Sequence, residues 1–285
     1  MLLKRILLVL FATMLLILSG AVFLYFNHNP DLQPRTEIYR GVYLTVENLT
    51  KSGEGDGKIM IVEVHWDTPG VQIANRQFDY PIETNDSAGS HYDLQFADFA
   101  LRHTGASILM NSCLYHPGAA LQSIPGRPVR SVETIVVNST VSHVHEHSYL
   151  LYWDKSMNGH ILQTKPPDRV SLESAVVGLG MQGVQVSDGV ANFNAMGNKE
   201  NVHARTFIGI DPEKRILYMM AFENVSGNLM IERAVDQGVV FGGQLDSGDS
   251  TNLLIGENAK GVEPHTGIRN LRPLGPYITI HADPL

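Results

Sequence analysis

The chain has 285 residues, a formal net charge of −8, twelve histidines and a single cysteine. An acidic surface repels nucleic acid and anionic membrane faces, so binding to either through bulk charge is excluded. One cysteine rules out an intramolecular disulfide, and the folded part must be held by its core alone.

Lys4 and Arg5 precede the run 6–26, which contains no charged residue. About 21 residues at about 1.5 Å each cover about 30 Å of hydrocarbon, the length of a membrane span. No Lys or Arg follows until Arg35, so residues 1–5 are expected in the cytoplasm and the rest beyond the membrane. Cleavage near Ala21, after the small residues Ser19 and Gly20, is the competing reading and would give a secreted protein. The apolar run continues through Val22–Phe26, which suits an uncleaved anchor better. With one cysteine and a short basic leader, the chain reads as a bacterial envelope protein, in the periplasm or at the cell surface.

Residues 27–38, with Pro30 and Pro34, read as a linker, and 39–285 as one domain. Val42–Val46 alternates apolar and polar residues, whereas Ile59–Val64 is almost continuously apolar, the pattern of a buried strand. Asp93–Arg102 spaces Leu94, Phe96, Phe99 and Ala100 as an amphipathic helix. Further strands are expected at 107–110, 134–137, 149–153, 161–164, 206–210 and 216–222. Asp211-Pro-Glu-Lys makes the hairpin turn between the last two. Asn228–Asp236 reads as a second helix ended near Gly238, and strands follow at 241–246, 252–255 and 277–281. Many strands with a few helices predict a mixed α/β or α+β domain, strand-rich and not a sandwich.

Three local patterns bear on chemistry. In Gly242-Gly-Gln-Leu-Asp-Ser-Gly-Asp-Ser-Thr251, an apolar strand delivers Asp246 into a glycine- and hydroxyl-rich bend. The backbone of Gly248–Thr251 can form an anion nest there, and Ser250 and Thr251 can add donors. Asp246 can then act as a general acid or base, a metal ligand or an orienting group; a plain turn satisfied by its own side chains is the bland alternative. In the strand after Ala204, alternation puts Arg205, Phe207 and Gly209 on one face and Thr206, Ile208 and Ile210 on the other. Arg205 can hold a phosphate or carboxylate, or face solvent at an edge. In the third pattern, His143 and His147 lie about 13 Å apart on a straight strand at about 3.3 Å per residue. That is too far for one ion, so His143-Val-His-Glu-His147 reads as a polar hairpin, and neither metal nor cofactor is expected. Cys113, straight after a buried strand, reads as an inert packed thiol.

The order of motifs resembles the phosphodiester glycosidase family. Asn111-Ser-Cys-Leu-Tyr115 is similar to the family's Asn-rich segment after a buried strand, and Gln182-Gly-Val-Gln-Val-Ser-Asp-Gly189 to its Asp-Gly segment. Arg205-Thr-Phe-Ile-Gly-Ile210 matches the arginine that opens a strand. Leu245-Asp-Ser-Gly-Asp-Ser-Thr251 matches the signature Leu-Asp-Gly-Gly-Gly-Ser-Ser, and Arg269-Asn-Leu-Arg-Pro273 the closing segment. Two signature glycines are replaced, by Ser247 and Asp249. The resemblance implies a hydrolase of a sugar–phosphate linkage in a glycan or envelope polymer. Its catalytic residues would be Asp246, Arg205 and Asn111, and its substrate would be held by Ser247, Gly248, Ser250, Thr251 and Arg269. Asn111 would position substrate hydroxyls or hold the loop. The alternative is a silent descendant that binds glycan or an envelope protein. The partners expected are the sugar-phosphate or glycan substrate and, through the N-terminal helix, the membrane, with no nucleic acid.

Overall fold

The computed structural model describes residues 33–76, 91–112, 114–116, 124–125, 128–141, 149–163 and 169–285. The segment 6–26, Cys113 and the His143–His147 stretch lie outside these residues. Among the described residues no helix is long and apolar enough to cross a membrane.

The domain is strand-rich with few helices, 48% strand against 13% helix. Every pair of named strands runs antiparallel, so of the two mixed classes it is α+β. An eight-stranded sheet carries, in spatial order, Gln33–Tyr39, Val42–Ser52, Gly55–His65, Ile216–Val225, His203–Asp211, Phe241–Gln244, Val186–Ser187 and Val190–Ala191. The first of these begins inside the stretch read as a linker. Pro34 is tolerated there because the strand is at the sheet edge, where a missing N–H leaves no ladder bond unmade. One five-stranded sheet is centred on Ala175–Met181 and includes Ile135–Val137 and Tyr149–Asp154. Another is centred on Ile108–Asn111, flanked by Leu253–Ile255 and Tyr277–His281.

The continuous apolar run at 59–64 has a direct cause: its strand is buried on both faces. Met60, Val62 and Val64 enter the main core with Ile208, Met219, Leu179, Ile108 and Leu253, which come from all three large sheets. Ile59 and Ile61 point the other way, into a second core with Phe207, Met220 and Phe222, covered by Met230, Ile231 and Ala234 of the helix Gly227–Asp236. Ser226 caps that helix by accepting from Leu229 N–H at 3.1 Å, a contact worth about 1 kcal/mol. The helix Ala97–Thr104 starts later than its pattern suggested. Its Ala97, Ala100 and Leu101 pack on Leu109, Leu254 and Tyr277, on the outer face of the sheet that carries Asn111.

Asp211 makes the expected hairpin turn. Its Oδ1 accepts from Glu213 and Lys214 N–H at 3.1 and 3.0 Å, which registers His203–Asp211 against Ile216–Val225.

Candidate active site

The site forms where the chain leaves one sheet for another. Past Phe241–Gln244, Leu245 N–H still bonds Thr206 O in the eight-stranded sheet at 3.0 Å. One residue later, Asp246 N–H bonds Ser112 O at 3.1 Å, at the end of Ile108–Asn111. Asn111, 2% exposed, holds the same residue by its carbonyl. Its Nδ2 donates to Asp246 O at 2.6 Å, and its Oδ1 accepts from Thr206 Oγ1 at 3.1 Å and Asn252 N–H at 2.8 Å. Of the two roles the sequence suggested for Asn111, its contacts are those of the loop holder.

The bend after Asp246 is a 3-10 turn over Gly248–Ser250. Ser247 Oγ is tied back, accepting from Thr206 N–H at 3.1 Å and donating to Leu245 O at 3.0 Å. Asp249 points to solvent. The two residues that replace signature glycines therefore do not project over Asp246. Gly248 has φ +68° with open space around it, so glycine answers a backbone need there. The expected anion nest is half closed, because Ser250 and Thr251 N–H bond the Ser247 and Gly248 carbonyls at 3.4 and 3.0 Å.

Two carboxyl groups here share one electrostatic environment. Burial pushes Asp246 up to about 6, against the pull of the Ser250 hydroxyl, the Arg272 guanidinium and the Ser247 N–H. Glu133, which sequence reasoning missed, is 5% exposed; burial and then the Asp246 carboxyl push it up to about 7. The segment around Ser112–Tyr115 links the two: Ser112 O holds Asp246 N–H, and Leu114 O accepts from Val132 N–H at 2.9 Å. Arg272 lies with its Cζ 5.3 Å from the Tyr115 ring centroid, a cation–π contact.

Two buried polar atoms here, Glu133 Oε2 and Thr251 Oγ1, close no hydrogen bond, while the Ser250 hydroxyl turns to the Asp246 carboxyl and the Tyr115 hydroxyl to the Arg272 guanidinium. Each such orphan costs about 1–3 kcal/mol when nothing pairs with it. The Ser250 hydroxyl acts on Asp246 and Asp246 on Glu133, Tyr115 is within the field of Asp246 and Arg272, and Thr251 belongs to the same loop.

The structure does not bring Arg205 or Arg269 into this cluster. Arg205 is fully buried on the opposite face of its strand from Thr206, among the second core. Its Nε donates to Val225 O at 3.0 Å, Nη1 to Gln244 Oε1 at 2.9 Å, and Nη2 to Asn198 O and Asn201 O at 3.1 and 2.5 Å. Burial lowers its pKa to about 10, and its donors are committed to protein acceptors. Arg269 is half exposed and pairs with Asp98 on the helix Ala97–Thr104 at 3.0 Å. Among the described residues, the cation that acts on Asp246 is Arg272, three residues further on.

A cavity of about 580 Å³ opens along the flank of Phe241–Gln244, lined by Tyr149, Ile161, Gln182, Asn192 and Phe241 among others. One of its lining residues, Gln182, bonds through its N–H to Gln244 O at 3.4 Å, two residues before Asp246. Among the described residues no three His, Cys, Asp or Glu side chains gather as a metal site.

No family model matches the chain, and no curated protein matches it by sequence. Among solved structures it is similar to the catalytic domain of zebrafish N-acetylglucosamine-1-phosphodiester alpha-N-acetylglucosaminidase, auto-inhibited by its pro-peptide. The identity is 12%, with a TM-score of 0.58 over 88% of each chain. It is also similar to a hypothetical protein from Synechocystis at 9% identity and a TM-score of 0.54, over 85% of this chain and 62% of that one. At these identities the likeness is one of fold: the domain has a phosphodiester glycosidase-like fold.

Proposed function

We propose that the domain is an extracytoplasmic hydrolase that cleaves the bond between a sugar anomeric carbon and a phosphodiester group, with Asp246 as its reacting carboxylate. The observation that carries this is a carboxyl group pinned through both backbone atoms, with the Ser250 hydroxyl and the Arg272 guanidinium acting on it, on a fold shared with a phosphodiester glycosidase. The N-terminal segment 6–26 would tether it to the membrane, or leave it secreted after a cut near Ala21.

The chemistry needs water to attack the anomeric carbon while the carbon–oxygen bond to phosphorus breaks. A phosphate monoester leaves as a stable anion, so the demand falls on activating water and stabilising positive charge at carbon. Asp246, ionised above about pH 6, takes the proton of the attacking water and faces the developing charge. Arg272, rather than Arg205 or Arg269, offsets the phosphate charge. Asn111 is a positioning residue, acting through the Asp246 carbonyl. The cavity beside Phe241, with an aromatic pair and amide side chains, takes the neighbouring part of the glycan.

The test is release of free sugar from a panel of sugar-1-phosphodiesters by the full chain and by Asp246→Asn. Release by the wild type that falls at least about a hundredfold in the variant is the expected result. Equal release by both removes Asp246 from the reaction. No release from any member favours the glycan-binding reading instead.

A further inference from the structure

Within that sugar–phosphate reading, the site faces an electrostatic difficulty. A phosphodiester carries one negative charge, and the bend proposed to receive it is built around a carboxylate on which, among the described residues, the cation Arg272 acts. A second ionised carboxyl would make the balance repulsive. Yet Glu133, which lies within the field of Asp246, has its side chain withdrawn from water and Oε2 unpartnered.

Its position is built, not incidental. Ser131 Oγ donates to Glu133 O at 2.6 Å and accepts from Glu133 N–H at 3.1 Å. The neighbouring strand provides Gly180, where any Cβ would come within 2.5 Å of Glu133 Cβ, so a glycine there leaves room for the glutamate. On the other side, the 112–115 segment is bonded to both Val132 and Asp246. We propose that Glu133 recognises the substrate as a neutral acid, donating its carboxyl proton to a non-bridging oxygen of the phosphodiester group. It thus supplies the anion-binding contact that sequence reasoning assigned to arginines.

A neutral carboxyl is the one form of this residue that helps an anion: it adds a donor and removes a charge. Burial favours that form, and so does the Asp246 charge, the ionic influence acting on Glu133 among the described residues. Arg272 acts on Asp246 in turn, Tyr115 lies within the field of both, and its hydroxyl offers a second donor.

The probe is dimethyl phosphate, whose single charge is constant over the working pH range and which has no sugar to release. Its binding to the full chain is followed by NMR titration from pH 5 to pH 8. Wild-type affinity is expected to fall above about pH 6 as Asp246 ionises, and by a further factor of about ten per unit above about pH 7. Glu133→Gln, which keeps a donor and cannot ionise, should lose the upper step and bind about tenfold tighter than wild type at pH 8. Equal or weaker binding by the variant at pH 8, or no wild-type binding at pH 5, overturns the proposal. Binding with the expected pH dependence but no sugar release from any phosphodiester would retain Glu133 as a phosphodiester-binding residue and reject the glycosidase reading. Sugar release with pH-independent binding would do the reverse.

Discussion

If Arg205 serves the scaffold and not the reaction, its replacement should cost stability and leave chemistry nearly untouched. Arg205→Lys keeps the charge but replaces a planar fork with a point donor. The guanidinium reaches Val225 O, Gln244 Oε1, Asn198 O and Asn201 O from three nitrogens at 2.5–3.1 Å. A single ammonium at the end of a flexible stem can satisfy about two of these, so about two buried acceptors lose their donor at about 1–3 kcal/mol each. Total destabilisation of about 4 kcal/mol follows, which at about 2–4 °C per kcal/mol for a domain of this size lowers Tm by about 10 °C. Thermal unfolding by circular dichroism measures it. Sugar release, assayed well below the lowered Tm, should stay within about threefold of wild type. An unchanged Tm with a hundredfold loss of turnover would refute the reasoning and return Arg205 to the site.

The remaining predictions concern the bend itself. Asn111→Ala orphans Asp246 O, Thr206 Oγ1 and Asn252 N–H, so denaturant unfolding should show a loss of about 3 kcal/mol or more. Turnover should fall as well, because the carbonyl beside the reacting carboxyl is no longer held; stability equal to wild type would contradict the assigned contacts. Glu133 rises from an ordinary 4.5 to about 7, so between those values the unfolded chain ionises while the folded protein does not. Stability must therefore fall with rising pH across that window, by about 3 kcal/mol at about 1.4 kcal/mol per pKa unit, and the loss is complete above about pH 7. Glu133→Gln should match wild type near pH 4 and exceed it by roughly that amount at pH 8; parallel pH profiles in urea titrations would count against a buried carboxyl at this position.

Much of the fold could be read from the sequence because its signals were local. The run at 59–64 is continuous because both faces of that strand are covered. The helix Gly227–Asp236 has its cap at Ser226 and its stop at Gly238, with φ +89°. The strand Gln33–Tyr39 was obscured by Pro34, whose penalty depends on whether the strand lies at an edge. In the site, a carboxylate at a strand end announced Asp246. Arg205 was misplaced because alternation separates it from Thr206 without revealing which face meets Asn111. The closing segment offered two arginines, and in irregular chain no period decides whether Arg269 or Arg272 turns inward. Glu133 had the weakest signal, an isolated acid before a short apolar strand, which reads as a loop residue until Asp246 is found beside it.

That last pairing bears on why the scaffold around the bend is so heavily bonded. Asp246 and Glu133 both titrate above their ordinary values, so at neutral pH the folded state carries a penalty of several kcal/mol from two carboxyls it could lose by substitution. Left to itself, a surface bend with such groups would open and hydrate them. It is prevented from doing so by ties that need neither carboxylate: Asn111 and Ser112 on the Asp246 peptide, Ser247 Oγ on Thr206, Asn270 Nδ2 on Gly248 O at 3.2 Å, and Asn270 N–H on Asn252 Oδ1 at 3.0 Å. A loop whose role was only to turn the chain would gain stability by replacing either acid. The combination of strained titration and redundant backbone anchoring is what a pre-organised reaction site requires, and it separates this bend from Asp211-Pro-Glu-Lys214, where Asp211 satisfies its own turn and Lys214 neutralises it at 2.7 Å.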